Sequence, residues 1–265
     1  MSRTLAQAFE QARAEERAAL IGYLPAGFPT RDGAVELIAA MVDGGVDIVE
    51  VGLPYSDPLM DGPDIQAAVD IALRGGTTTD VVLDTVASVS TTGAATVVMS
   101  YWNPIERYGV ERFAARMQDA GGVGVITPDL TPEESGPWRQ ATDVHSLDRV
   151  FLVAPSSTDE RMRTVVEATS GFLYAASLMG VTGARAQMSD AAPDLVRRAR
   201  ATTDLPIAVG LGVSTGEQAR GVAGYADGVI VGSAFVRRIL QADSHANACL
   251  AVHALAVELA EGVRG

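Results

Sequence analysis

Eight short, almost uninterrupted apolar runs alternate with amphipathic segments along this chain, and that alternation limits its fold more than any other feature. The runs are ALIGYLP (Ala19–Pro25), DIVEVGLP (Asp47–Pro54), ATVVMSY (Ala95–Tyr101) and VGVITPD (Val123–Asp129), followed by RVFLVAP (Arg149–Pro155), GFLYAAS (Gly171–Ser177), PIAVGLG (Pro206–Gly212) and DGVIVGSA (Asp227–Ala234). Continuous apolar runs of this length, rather than alternating ones, are expected of parallel strands covered on both faces. The segments between them, such as RDGAVELIAAMVDGG, VERFAARMQDAGG and DAAPDLVRRARATT, have helical periodicity, and several end at Gly, as helix C-termini do. An open doubly wound sheet is the alternative. Eight strand–helix units without a composition break over 265 residues favour a closed (β/α)₈ TIM barrel forming one domain over 1–265, preceded by an extra helix at about Leu5–Arg17.

Composition removes several function classes. The net charge of -13 argues against nonspecific nucleic-acid binding, which relies on Lys and Arg to neutralise phosphates. Glu10, Glu15 and Glu16 stand where a signal peptide would be apolar, and no stretch is long and uncharged enough to cross a bilayer, so a cytoplasmic location is expected. The single Cys249 cannot form an intramolecular disulfide, and its Ala-rich surroundings read as those of a buried small hydrophobe. All 20 basic residues are arginine. A chain without lysine cannot use a Schiff-base lysine.

In a barrel of this kind the chemistry sits where strands end and βα loops begin. Glu50 lies inside the second apolar run. A buried acid there is either a core residue satisfied by an Arg or by backbone, or a group whose raised pKa suits general acid–base work. Its place near the working end of the barrel favours the second reading. The loop PYSDPLMDGPDIQ then brings Asp57, Asp61 and Asp64 among prolines and glycines, which on their own read as turn residues. Asp64 is also suited to the start of the next helix. Three Gly-bearing loops, MGVTGAR, VGLGVS and VGSAF, follow the last three runs. Gly210, Leu211, Gly212, Gly232 and Ser233 sit where barrels commonly cradle phosphate on backbone N–H groups.

The segment EVGLPYSDPLMDGPDIQ, with YWNPIERYG, GVITPDL, FLYAASLMGVTGAR, LPIAVGLGVS and DGVIVGSA in that order, resembles the alpha subunit of tryptophan synthase over essentially the whole barrel. The resemblance implies retro-aldol cleavage of indole-3-glycerol phosphate to indole and glyceraldehyde 3-phosphate. It assigns Glu50 as the principal acid–base residue, Asp61 as the partner of the indole nitrogen, and Tyr174 as the tyrosine that positions substrate and Glu50. Tyr23, Met99 and Leu152 would line the indole pocket, Leu211 would join the substrate-binding residues, Thr182 would hydrogen-bond Asp61 from the sixth loop, and Gly183, Gly212, Gly232 and Ser233 would hold the phosphate. It further implies no cofactor or metal in this chain, and a beta subunit that carries pyridoxal phosphate and receives indole within an αββα complex. The PYSDP loop and Tyr101, Asn103 and Pro104 are the expected contact surface.

Carbon–carbon cleavage needs an electron sink. With no lysine, and with His145, His245 and His253 outside the strand ends, the substrate's own protonated indole ring is the sink that remains. Two positions depart from the family pattern: Asp64, which adds negative charge near Asp61, and Leu211, where some relatives carry an aromatic residue. Indole-3-glycerol-phosphate synthase and phosphoribosylanthranilate isomerase are rival phosphate-binding barrels, the first disfavoured by its need for lysine. A stand-alone indole-releasing lyase and a catalytically idle regulator of a beta subunit also compete, and intact Glu50 and Asp61 argue against the regulator.

Overall fold

A computed structural model describes residues 3–176 and 191–265. Within them nine parallel strands form one sheet: β1 (Ala19–Pro25), β2 (Ile48–Gly52), β3 (Ala95–Met99), β4 (Gly124–Ile126), β5 (Asp148–Val150), β6 (Leu152–Val153), β7 (Leu173–Ala176), β8 (Ile207–Gly210) and β9 (Gly228–Val231). Their order is β5-β4-β3-β2-β1-β9-β8-β7-β6, so the last strand lies against the first, with Ala19 opposite Gly228. The two ends of that order are consecutive in the chain and separated only by Phe151. β5 pairs with β4 (Val150 opposite Ile126) and β6 pairs with β7 (Leu152 opposite Tyr174). The fifth apolar run, expected as one strand, therefore changes partner at Phe151, whose carbonyl accepts the Tyr174 N–H at 3.2 Å. That switch closes the ring. The molecule is a TIM barrel, not an open doubly wound sheet.

Side chains alternate across each strand, and the alternation sorts the barrel into two layers. Outward residues such as Leu20, Leu24, Val49, Val51, Val98, Phe151, Val209 and Val229 pack under the surrounding helices. Inward residues Ala19, Ile21, Ile48, Ala95, Val97, Ile126, Val150, Phe172, Ala208 and Ile230 fill the barrel interior. Phe151 faces outward while Val150 and Leu152 face inward, so the partner switch leaves the alternation intact.

The N-terminal helix closes one end. Thr4 caps it through a reciprocal pair with Gln7, and it places Leu5, Ala8, Phe9 and Ala12 beneath the barrel. Phe9 meets Phe172 with ring centroids 5.6 Å apart. Burying side chains of this size contributes about 1.5–3 kcal/mol each. The helix spans Leu5–Ala14 and stops short of Arg17, because Glu16 takes a left-handed φ of 54°. Arg17 turns instead to grip Asp47 through two hydrogen bonds of 2.6 and 2.8 Å. With this end plugged, the opposite, C-terminal end of the strands is where a ligand can enter.

Candidate active site

The inward lines of β1, β2, β3, β6, β7, β8 and β9 reach a cavity of about 190 Å³. Glu50 follows Ile48 on the inward face of β2, with Tyr23 of β1 on one side and Val97 of β3 on the other. Tyr23, Glu50, Asp61, Met99, Leu152, Tyr174, Gly210, Gly212, Gly232 and Ser233, ten of the residues expected at the site, line this one space. Leu211 does not; its side chain packs on the layer beneath the helices. Thr182 and Gly183 lie outside the described residues.

Glu50 is almost fully buried, at 1% exposure. Its Oε2 has no hydrogen-bond partner among the described residues. Among the described residues neither an Arg nor a backbone group pairs with that oxygen, which argues against an ordinary core acid. Burial alone pushes its pKa up to about 8, which leaves the carboxyl mostly protonated near neutrality.

Asp61 is held from a direction the sequence does not indicate. Tyr101, just beyond β3, donates its hydroxyl hydrogen to Asp61 Oδ1 at 3.1 Å and accepts the Met60 N–H at 2.9 Å. Burial raises the Asp61 pKa, and the Tyr101 hydrogen bond partly opposes the rise. Expected on a contact surface, Tyr101 is instead buried and faces the cavity loop. The other two loop aspartates separate cleanly from Asp61. Asp57 is exposed and, among the described residues, accepts a side-chain hydrogen bond from Ser56 alone, as a turn residue would. Asp64 opens the helix Pro63–Arg74 and accepts from Arg237 Nη2 at 2.7 Å, so the negative charge expected near Asp61 is neutralised.

Two tyrosines flank Glu50, and both depend on glycines. A Cβ on Gly52 would stand 2.4 Å from Tyr23 Oη, and one on Gly210 would stand 2.6 Å from Tyr174 Oη. The absence of those side chains lets each ring lie across the neighbouring strand. Burial first, and then the nearby carboxylates, raise both tyrosine pKa values, so each hydroxyl stays a neutral donor.

On the far rim, Gly232 caps the helix Ser233–Leu240, and Gly212 adopts a left-handed φ of 74°. A helix N-terminus beside a glycine in that conformation presents backbone N–H groups and a favourable dipole to an anion. Met60, Ile65, Ala176 and Ile230 complete the lining. Ala176 and Ile230 are inward positions, two residues from Tyr174 and from Gly232 respectively. Counting by twos along the strands from those expected residues finds them.

A family model described as tryptophan synthase alpha chain matches residues 9–264. The chain belongs to the tryptophan synthase alpha chain family. It is 59% identical over 262 residues to the tryptophan synthase alpha chain of Streptomyces avermitilis, covering 98% of this chain and 95% of the relative. A tryptophan synthase structure from Mycobacterium tuberculosis superposes with a TM-score of 0.92 at 52% identity, covering 100% of both chains. The tryptophan synthase alpha subunit of Legionella pneumophila gives 0.90 at 33% identity, covering 99% of this chain and 98% of that one. Tryptophan synthase alpha chains are lyases that cleave indole-3-glycerol phosphate and work with a beta subunit.

Proposed function

We propose that Glu50 and Asp61 carry out the retro-aldol cleavage of indole-3-glycerol phosphate in this cavity. The observation that carries the reading is Glu50 itself: an almost fully buried acid that lines the same cavity as a second carboxylate, Asp61, with a helix N-terminus at its rim. Its proton goes to the indole carbon bearing the glycerol chain, which places positive charge on the ring nitrogen. Asp61, oriented by Tyr101, stabilises that charge and accepts the nitrogen's proton. The Glu50 carboxylate then takes the proton of the adjacent hydroxyl. The carbon–carbon bond breaks, its electron pair returns to the ring, and the hydroxyl carbon becomes the aldehyde of glyceraldehyde 3-phosphate. Return of the nitrogen's proton from Asp61 yields indole, and Glu50 ends protonated, as it began.

Tyr174 positions Glu50 and the substrate, while Tyr23, Met99 and Leu152 supply apolar surface for the indole. Gly212, Gly232 and Ser233 hold the phosphate. The chain uses no cofactor of its own; pyridoxal phosphate belongs to the beta subunit, to which indole passes in an αββα complex within the cytoplasm. No described helix is long and apolar enough to cross a membrane. The loop after β2 supports a docking role, since Leu59 is 83% exposed and Tyr55 packs at a tilt against Tyr101, ring centroids 5.4 Å apart. A partner seated there would press on the same tyrosine that holds Asp61.

The test is indole release from indole-3-glycerol phosphate by the purified chain, alone and with its beta subunit. Strong activation by the beta subunit is expected. A high unaided rate that the beta subunit leaves unchanged would point to a stand-alone lyase.

A further inference from the structure

Cys249 packs against the core as its Ala-rich surroundings suggest, but it is only half-buried and also faces two other donor side chains. His245 and Cys249 stand one turn apart on the helix His245–Gly262 and so share a face. Glu36 reaches the same point from the helix Arg31–Asp43, which packs alongside. His245 Nε2 lies 2.6 Å from Glu36 Oε2 and 3.5 Å from Cys249 Sγ, and all three donor atoms fall within 4.8 Å of one another. From this convergence we propose that Glu36, His245 and Cys249 form a binding site for a zinc-class divalent cation, outside the barrel and separate from the substrate cavity.

The geometry distinguishes a metal site from a nucleophilic relay. A relay needs the two ring nitrogens of His245, one toward the thiol and one toward the acid. Here the same nitrogen meets both, so the donors surround a point. A low thiol pKa would favour the relay, yet burial and the Glu36 charge push the Cys249 thiol up. The negative Glu36 that disfavours a bare thiolate favours a dication beside it.

Tetrahedral zinc, with bonds of about 2.0–2.3 Å to nitrogen, oxygen and sulfur, separates a nitrogen from a sulfur ligand by about 3.6 Å and from an oxygen ligand by about 3.4 Å. The nitrogen–sulfur distance already matches. The nitrogen–oxygen distance must open by under roughly 1 Å, and the Glu36 side chain, 64% exposed, has room to move. One carboxylate, one thiolate and a neutral imidazole balance the ion's two charges, and water takes the fourth position. The soft sulfur selects zinc, or cobalt as its probe, over magnesium and calcium. A bound ion would staple the last helix to the helix after β1.

The experiment titrates the full chain, first stripped with a chelator, with Co(II) and then with Zn(II). One Co(II) per chain, a thiolate-to-cobalt charge-transfer band in the near ultraviolet, and displacement by one equivalent of Zn(II) are expected. Cys249→Ser should abolish the band, and Cys249→Ser and His245→Ala should each weaken Zn(II) binding at least about tenfold. Absence of the band in the unaltered chain overturns the proposal. So does undiminished Zn(II) affinity in either variant, which would mark binding elsewhere on the surface.

Discussion

Tyr101 donates to Asp61 Oδ1 at 3.1 Å while accepting the backbone N–H of Met60 at 2.9 Å, so one hydroxyl fixes both the carboxylate and the loop that carries it. Tyr101→Phe removes that tie without opening a large cavity. A hydrogen bond to a charged group contributes about 1.5–3 kcal/mol, so kcat/KM for indole release should fall roughly tenfold to a hundredfold. The bond also holds the Asp61 pKa down, and its loss should move the acid limb of the pH–rate profile to higher pH. An unchanged rate and profile would remove Tyr101 from the mechanism.

Gly210 gives Tyr174 its place. A methyl group there would meet Tyr174 Oη at 2.6 Å and drive the ring into the cavity or off its strand. Gly210→Ala should lower kcat by at least about tenfold, because displacing a positioned group by an ångström is costly in an enclosed site. The fold should survive, since the clash is with the far end of one side chain. Steady-state kinetics beside a thermal melt would separate the two effects; a full-activity variant would show that the position of Tyr174 does not matter.

The pH dependence follows from the sign of the Glu50 shift. Burial raises its pKa from 4.5 to about 8 in the folded chain, so the native state holds the extra proton between those values. Its contribution to stability is therefore fullest below about pH 4.5 and declines as pH rises through about 8. Glu50→Gln should gain stability relative to wild type by roughly 2–4 kcal/mol between pH 5 and 9, read from urea denaturation at each pH. In wild type, kcat/KM should drop on the alkaline side near pH 8 as the proton donor is lost. A stability difference independent of pH would show that Glu50 is not held protonated.

How far the sequence leads differs between the two carboxylates. The barrel is legible because parallel strands covered on both faces must be apolar throughout, and Glu50 stands out because an acid interrupts such a run. Asp61 is legible only through the family motif, since three aspartates share its loop and turn chemistry explains each of them. What separates them is tertiary: Tyr101 comes from 40 residues away to Asp61, and Arg237 from 173 residues away to Asp64. The partner switch at Phe151 is hidden for the same reason, as it depends on which neighbours β5 and β6 meet. Cys249 reads as a plain hydrophobe because local composition does not show that Glu36 and His245 stand beside it.

Glu50 gives the proton that makes the indole ring the electron sink, and every later step depends on that transfer. The most direct test is the rate of indole release from indole-3-glycerol phosphate by Glu50→Gln, measured beside the binding of glyceraldehyde 3-phosphate. The rate should fall by about 10²–10⁴-fold, with binding of the phosphorylated product unchanged. Turnover within roughly threefold of wild type, a barrier change of under about 1 kcal/mol, would contradict it.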